Sequence, residues 1–306
     1  MKKDFISIKD LSISEINEIF ALAVKLKKNK AKFSTVLQGK TLCLIFHKPS
    51  LRTRVSFEVG IVELGGNAIY LQEDIRVGKR EALKDMAKTL SRYVDGIVLR
   101  TFEHNNVVEL AGQASIPVIN GLSDLLHPCQ ALSDLFTVKE KLGKLKGIKL
   151  AYVGDGNNVC HSLLYGASKL GVDIAVATPK GYEPQAGIVN EAKEFAAKSG
   201  ASIIINNAPQ KVAKGADIIY TDVWTSMGQE KEREKRKEIF ANFQINKELV
   251  NLAKKKVLIM HCLPAHRGEE ITDEVMDSDN SIVFDQAENR LHVQKAILIK
   301  LLGDKK

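Results

Sequence analysis

Residues Pro49-Ser50-Leu51-Arg52-Thr53-Arg54 gather two hydroxyls and two guanidinium groups at one point of the chain. They lie between an apolar strand pattern, Thr41-Leu42-Cys43-Leu44-Ile45-Phe46, and a helix pattern in which Val55, Val59, Val62 and Leu64 recur as far as Gly65-Gly66. A helix start carries backbone N–H groups without intrahelical partners and the positive end of the helix dipole. Hydroxyls, amides and Arg forks converging there make a site for a phosphate or a similar oxyanion. The plain alternative is an N-cap serine followed by surface arginines.

Four other segments hold groups suited to chemistry. His127-Pro128-Cys129-Gln130 precedes the helical pattern of Ala131, Leu132, Leu135 and Phe136. Its imidazole can donate to a carbonyl or phosphoryl oxygen, and its amide can both donate and accept. A zinc reading of His127 and Cys129 lacks companion ligands at usual spacings; a turn with a polar cap is the simpler alternative. His261-Cys262-Leu263-Pro264 ends the strand pattern Val257-Leu258-Ile259-Met260, and in open α/β sheets ligands bind beyond the carboxyl ends of strands. Neighbouring residues on an extended segment point opposite ways, which disfavours a Cys–His dyad and favours a thiol that positions a substrate amine. Asp222 follows another strand pattern and offers an anion for an ammonium group, while Ser226-Met227-Gly228 reads as a loop able to close over a ligand, or as an ordinary connection. Gly154-Asp155-Gly156-Asn157-Asn158 is half of a dinucleotide fingerprint, but Val159 stands where the third glycine belongs. The strand that should end in a ribose-binding acid ends in Thr178-Pro179.

These segments need a scaffold that ends strands and starts helices at the same level. An amphipathic helix is expected over residues 12–30, with Leu11, Ile16, Ile19, Phe20 and Ala23 on one face. Strands are expected over 41–46, 67–71, 95–99, 116–119, 148–153, 172–177, 202–206, 217–221, 256–260 and 281–284, mostly separated by helical patterns. That alternation predicts an α/β fold with parallel sheets covered on both faces. The Gly-punctuated polar stretch 141–147 divides the chain, and a last helix over 286–302 is long enough to cross back. The expected domains are therefore 1–143 plus 286–306, and 144–285.

A chain of 306 residues with 44% hydrophobic and 27% charged residues suits two soluble domains. The net charge of +8 is scattered. Residues 231–238 alternate in sign as a solvated helix face would, so a small anionic substrate fits the surplus better than nucleic acid. No apolar run is long enough to cross a bilayer. The start has no signal-like apolar region and the four cysteines form no framework, so reduced thiols and a cytoplasmic protein are expected.

Taken in order, and with Asp74-Ile75-Arg76-Val77-Gly78, Leu99-Arg100 and Glu288-Asn289-Arg290, these segments resemble the aspartate/ornithine carbamoyltransferase family, and within it the ornithine carbamoyltransferases, over nearly the whole chain. The family's usual Ser-Thr-Arg-Thr-Arg carries Leu51 in place of its first Thr, so only the backbone N–H of that position remains for a phosphate. The resemblance implies two similar-sized domains, the first binding carbamoyl phosphate and the second L-ornithine, with no metal or organic cofactor. It implies that Ser50, Leu51, Arg52 and Thr53 hold the phosphate and that Arg100 reaches phosphate and carbamoyl oxygen. His127 and Gln130 would bind the carbamoyl group, with Arg290 completing the site. Arg76 matches the position that reaches a neighbouring subunit's site in a trimer or an assembly of trimers. Asn158, Asp222, Ser226 and Met227 match the positions that grip the α-amino and α-carboxylate groups, and Cys262 and Leu263 those facing the side-chain amine. The expected catalytic groups are Arg100, His127 and Cys262, and the expected product is citrulline, within arginine biosynthesis. Putrescine or aspartate as acceptor, a nicotinamide dehydrogenase and a non-catalytic binding protein are the rival readings.

Overall fold

A computed structural model of the chain describes residues 3–72, 81–225 and 230–303. The chain divides into two compact units, Met1–Phe136 with Glu288–Lys306, and Thr137–Ala287.

In the first unit four strands, β1 (Thr41–Phe46), β2 (Asn67–Gln72), β3 (Gly96–Arg100) and β4 (Val118–Leu122), form a parallel sheet in the order β2-β1-β3-β4. Strands β1 and β3 are buried almost throughout, as continuous apolar strands of a sheet covered on both faces must be. The helices are α1 (Ile13–Lys28), α2 (Leu51–Val62), α3 (Leu83–Tyr93), α4 (His104–Gln113) and the first part of α5 (Pro128–Leu142), which belongs to the second unit from Thr137 onward. Helix α1 starts at a capping box: the Ser12 hydroxyl accepts from Glu15 N–H and the Glu15 carboxylate accepts from Ser12 N–H. It buries Ile16, Ile19, Phe20, Ala23 and Leu26, the face its spacing predicts.

The pairing of β3 with β4 shifts at its end. Leu99 opposes Asn120 and Arg100 opposes Leu122, which leaves Gly121 as the extra residue of a bulge. A Cβ at Gly121 would lie 3.0 Å from a Val98 methyl and 3.3 Å from the Leu99 carbonyl. A side chain at the bulge would make these neighbours give by a few tenths of an ångström, and the bulge sits beside the buried Arg100 that closes β3.

The second unit holds a five-stranded parallel sheet of order β7-β6-β5-β8-β9, with β5 (Lys149–Val153), β6 (Asp173–Ala177), β7 (Ile203–Asn206), β8 (Ile218–Thr221) and β9 (Leu258–His261). Its helices are α6 (Asn158–Leu170), α7 (Ala186–Ser199), α8 (Pro209–Ala213), α9 (Arg233–Phe240), α10 (Lys247–Val250) and α11 (Asp273–Met276). A final helix, α12 (Val283–Leu302), belongs to the first unit from Glu288 onward. There the buried Lys295 ammonium meets Glu63 at 2.6 Å, and Lys27 donates to Asn289. The returning C-terminal helix and the two parallel sheets are as the sequence leads one to expect.

Two local expectations are corrected. Residues 281–284 make no strand: Ser281 forms an isolated bridge with Ile259, and the chain turns into α12 at Val283. Residues 231–238 are not a wholly solvated face either, because Arg236 on α9 is buried. Its Nη1 meets Asp155 at 3.0 Å and donates to the Trp224 carbonyl, and the guanidinium lies over the Tyr182 ring. Among the described residues no helix is long and apolar enough to cross a membrane.

Candidate active site

The first unit gathers its functional side chains at two helix starts and on the returning helix. Ser50, in an extended conformation, caps α2 by accepting from Thr53 N–H at 3.3 Å. The Thr53 hydroxyl is buried and accepts from Arg290 Nη2 at 3.1 Å. The other Arg290 nitrogen, Nη1, donates to the Gln130 side-chain oxygen. The Gln130 amide nitrogen is held in turn by Asp134 at 2.8 Å, which fixes its oxygen toward the guanidinium. One arginine thus joins α2, α5 and α12.

His127 precedes Pro128, which takes the first helical position of α5, where a missing N–H costs nothing. Burial, and then the charges of Arg290, Arg100 and Arg52, hold the His127 pKa well below its ordinary value of 6.5. The imidazole is therefore neutral at neutral pH and stands in a field of three guanidinium groups. Such a set can neutralise an oxyanion while one N–H donates to a carbonyl oxygen. Burial pushes the neighbouring Cys129 thiol up to about 12, so it is inert at neutral pH. Arg54 points elsewhere: it pairs with Glu58 at 3.1 Å and covers the Tyr70 ring. Leu51 is 73% exposed.

The second unit builds an anionic counterpart. Asp222 lies just past β8, anchored by Thr221, whose hydroxyl donates to the Val153 carbonyl of β5. The Asp222 Oδ1 accepts from Cys262 Sγ at 2.9 Å and from Val223 N–H at 2.8 Å, and its Oδ2 accepts from Asn157 Nδ2 at 2.8 Å. Asn158 is the first residue of α6. Leu263, with φ at 57°, gives its N–H to His261 Nδ1, and the following peptide bond to Pro264 is cis. His261 Nε2 faces the buried Glu270 carboxylate at 2.9 Å. Both nitrogens of His261 are thus engaged away from Cys262, and no Cys–His dyad forms. His266, Glu269 and Glu270 bring three possible metal-ligand atoms within 4.8 Å of one another. Glu269 is already paired with Arg233 and Lys237, and Glu270 with His261 and the His266 N–H. These carboxylates are engaged by ion pairs at Glu269 and hydrogen bonds at Glu270.

Gly156 explains the partial dinucleotide fingerprint. A Cβ there would lie 2.3 Å from the Pro184 nitrogen, so this glycine admits the chain at 182–184 rather than a pyrophosphate. Asp155 beside it is taken by Arg236.

A description of the carbamoyl-P binding domain of aspartate/ornithine carbamoyltransferases matches residues 3–140, and one of their Asp/Orn binding domain matches residues 146–301. The chain belongs to this carbamoyltransferase family. It is 54% identical over 303 residues to ornithine carbamoyltransferase of Anoxybacillus flavithermus, covering 98% of this chain and 96% of the relative. It is 52% identical over 303 residues to the catabolic ornithine carbamoyltransferase of Thermoplasma volcanium, covering 99% of both. The structure of ornithine carbamoyltransferase from Pyrococcus furiosus superposes with a TM-score of 0.96 at 53% identity, covering 99% of this chain and 98% of that one.

Within this carbamoyltransferase the expected residues fall into three groups. Thr53, Gln130 and Arg290 are joined directly, with His127 in the field of Arg52, Arg100 and Arg290. Asp222 and Cys262 are joined in the second unit, with Asn158 and Leu263 on the flanking segments. Arg76, Ser226 and Met227 lie outside the described residues. The asparagines of this loop read in the sequence as partners for a small polar molecule; Asn157 is instead the N-cap of α6, a role that an Asn directly before an apolar helix pattern signals. The sequence reading missed the pairing of Asp155 with Arg236, for which the sequence carries no local signal.

Proposed function

We propose that this chain transfers the carbamoyl group of carbamoyl phosphate to the side-chain amine of L-ornithine, giving L-citrulline and phosphate. The carrying observation is Arg290 donating to both Thr53 and Gln130, in the same surroundings as a neutral His127. This combination suits an acyl phosphate, which presents an oxyanion and a carbonyl together. The α2 start with Ser50, the Leu51 N–H, Arg52 and Thr53 holds the phosphate. Arg100 spans phosphate and carbamoyl oxygen, and His127 and Gln130 orient the carbamoyl group.

The δ-amine attacks in its neutral form. A bond forms from nitrogen to the carbamoyl carbon, the bond from that carbon to the phosphate oxygen breaks, and the amine proton leaves with the phosphate. Negative charge on the carbamoyl oxygen grows toward Arg100 and His127, donors fixed before the reaction begins. No step calls for a metal or organic cofactor. Asp222 offers its carboxylate to the ornithine α-ammonium, with Asn158, Ser226 and Met227 gripping the amino-acid end and Cys262 and Leu263 facing the δ-amine. Putrescine lacks the α-carboxylate, and aspartate would bring an anion toward Asp222.

Leu51, Val55, Val59 and Val62 form an exposed apolar stripe on α2, which supports a homotrimer or an assembly of trimers in which Arg76 serves a neighbour's site. The four cysteines, none of them in a disulfide, suit the cytoplasm. Carbamoyl phosphate is an activated anhydride, so the direction toward citrulline supports a place in arginine biosynthesis. The test is citrulline formation from carbamoyl phosphate with ornithine, putrescine and aspartate compared. Activity confined to ornithine is expected. Preference for another amine overturns the acceptor, and inactivity with all three overturns the reaction.

A further inference from the structure

We infer that Asn157 is a positioning residue that sets the direction of the Asp222 carboxylate, and so the affinity for the amino-acid substrate. The inference rests on the reading that Asp222 meets the ornithine α-ammonium.

The orientation of the Asn157 amide is dictated by its surroundings. Its Oδ1 accepts from the N–H groups of Val159 (3.0 Å) and Cys160 (3.2 Å) at the start of α6, and lies 3.3 Å from the Tyr152 hydroxyl. Reversing the amide would set an NH₂ against two N–H donors. The Nδ2 group is thereby forced toward Asp222 Oδ2, which it meets at 2.8 Å. Tyr152 is itself fixed, because its hydroxyl donates to the Asp155 carbonyl at 2.9 Å. The helix cap and the carboxylate clamp are two ends of one planar group, and the frame of β5 and α6 passes through it to Asp222. Cys262 Sγ and Val223 N–H hold only the other carboxylate oxygen. Without the Asn157 donor, the carboxylate loses the contact that holds Oδ2.

The test uses the full-length enzyme with Asn157→Asp and Asn157→Ser. Aspartate keeps the shape and the helix cap but turns a donor into a second anion facing Asp222; serine keeps a hydroxyl cap and is too short to reach it. Each should raise the KM for ornithine by about tenfold or more, the scale of a lost charge-assisted hydrogen bond. The KM for carbamoyl phosphate should change by less than about twofold, since that site lies in the other unit. Lowering the pH supplies a proton to the facing pair of carboxylates and restores a donor. The ornithine KM of Asn157→Asp relative to wild type should therefore narrow as pH falls, while that of Asn157→Ser should not. The other titratable groups facing this point, Cys262, Tyr152 and Asp155 with Arg236, are present in all three proteins, and Asn157→Ser, which adds no charge, shows their own contribution to the pH profile.

Unchanged ornithine KM in either folded variant overturns the inference, as does a ratio for Asn157→Asp that is flat with pH, which marks a cap alone. If Asn157→Asp does not fold, the ornithine KM of Asn157→Ser decides. Asp222→Ala separates the two levels of argument. An ornithine KM that rises in Asp222→Ala but not in the Asn157 variants removes only the positioning role. A KM unmoved by Asp222→Ala, or a wild type that makes no citrulline, overturns the substrate reading and this inference with it.

Discussion

Arg290 and Gln130, 160 residues apart in sequence, are joined by a hydrogen bond from the Arg290 guanidinium to the Gln130 side-chain oxygen. The second nitrogen of the same fork donates to Thr53. Two partners of different chemistry, a hydroxyl and an amide, are thereby set by one planar group. A lysine presents a single ammonium and cannot reproduce that fork. Arg290→Lys is expected to lower kcat/KM for carbamoyl phosphate by about a hundredfold, on the scale of a lost preorganised donor. Initial rates at varied carbamoyl phosphate check it; a change under about threefold contradicts the assignment.

His127 makes a statement about pH. Its pKa lies below the ordinary 6.5 because burial and nearby arginines disfavour the imidazolium. Below that pH the unfolded chain binds the proton more readily than the folded one, so folding stability falls as the medium becomes acidic. The contribution is fully present above about 6.5 and is lost progressively below it. His127→Gln removes this term while leaving His104 and His292, whose pKa values are also lowered, in place. Melting temperature measured from pH 5 to 8 should therefore fall less steeply on the acid side in His127→Gln than in wild type. Parallel curves would contradict the buried neutral imidazole.

Asp155 and Arg236 form a buried pair whose two halves should respond differently to pH. Burial raises the Asp155 pKa to about 6, against the pull of Arg236. A raised carboxylate favours the folded state below its unfolded value of 3.8, and that advantage is gone once pH passes about 6. Above that point the fold carries a buried anion that Arg236 must offset. Arg236→Met is expected to cost about 3–5 kcal/mol at pH 8, the scale for orphaning one member of a buried pair. The cost should shrink toward pH 5, where Asp155 takes a proton, and the double variant with Asp155→Asn should lose less than the two single changes summed. Urea unfolding of the four proteins at both pH values decides; additive losses would exclude a direct coupling.

The exposed stripe on α2 predicts an assembly that charge can break. Val55 and Val62 are 46% and 61% exposed, and neither packs into the core of its own unit. Val55→Lys with Val62→Lys should shift the sedimenting species toward the monomer and lower activity by at least about tenfold if sites are shared. A monomeric double variant with wild-type kinetics would contradict shared sites.

The same stripe shows where the sequence is legible and where it is not. Helical spacing of Val55, Val59 and Val62 correctly predicts a helix, yet the buried face is Thr53, Phe57, Gly60 and Ile61. Periodicity reports that one face is apolar; it does not say whether the chain itself covers that face. Strand positions are legible where a short apolar run is buried almost throughout and bounded by polar residues, as in Thr41–Phe46. The run at 281–284 misleads because it pairs with Ile259 through a single bridge before α12 begins at Val283. Arg236 is hidden in a stretch of alternating charges, since burial there depends on Asp155 and Tyr182, which are far away in sequence. Thr53, Gln130 and Arg290 are legible as chemical groups, but only folding brings them together.

The return of α12 to the first unit has a consequence for synthesis of the chain. The second unit, Thr137–Ala287, is one uninterrupted stretch, whereas the first is finished only by Glu288–Lys306. On the ribosome the later-coded unit has all its residues before the earlier one does. Arg290, which ties Thr53 to Gln130, emerges only after the whole of the second unit. A nascent chain thus holds no finished anion site until the second unit has been made, and a stop codon just before α12 would delete that site while leaving the second sheet whole.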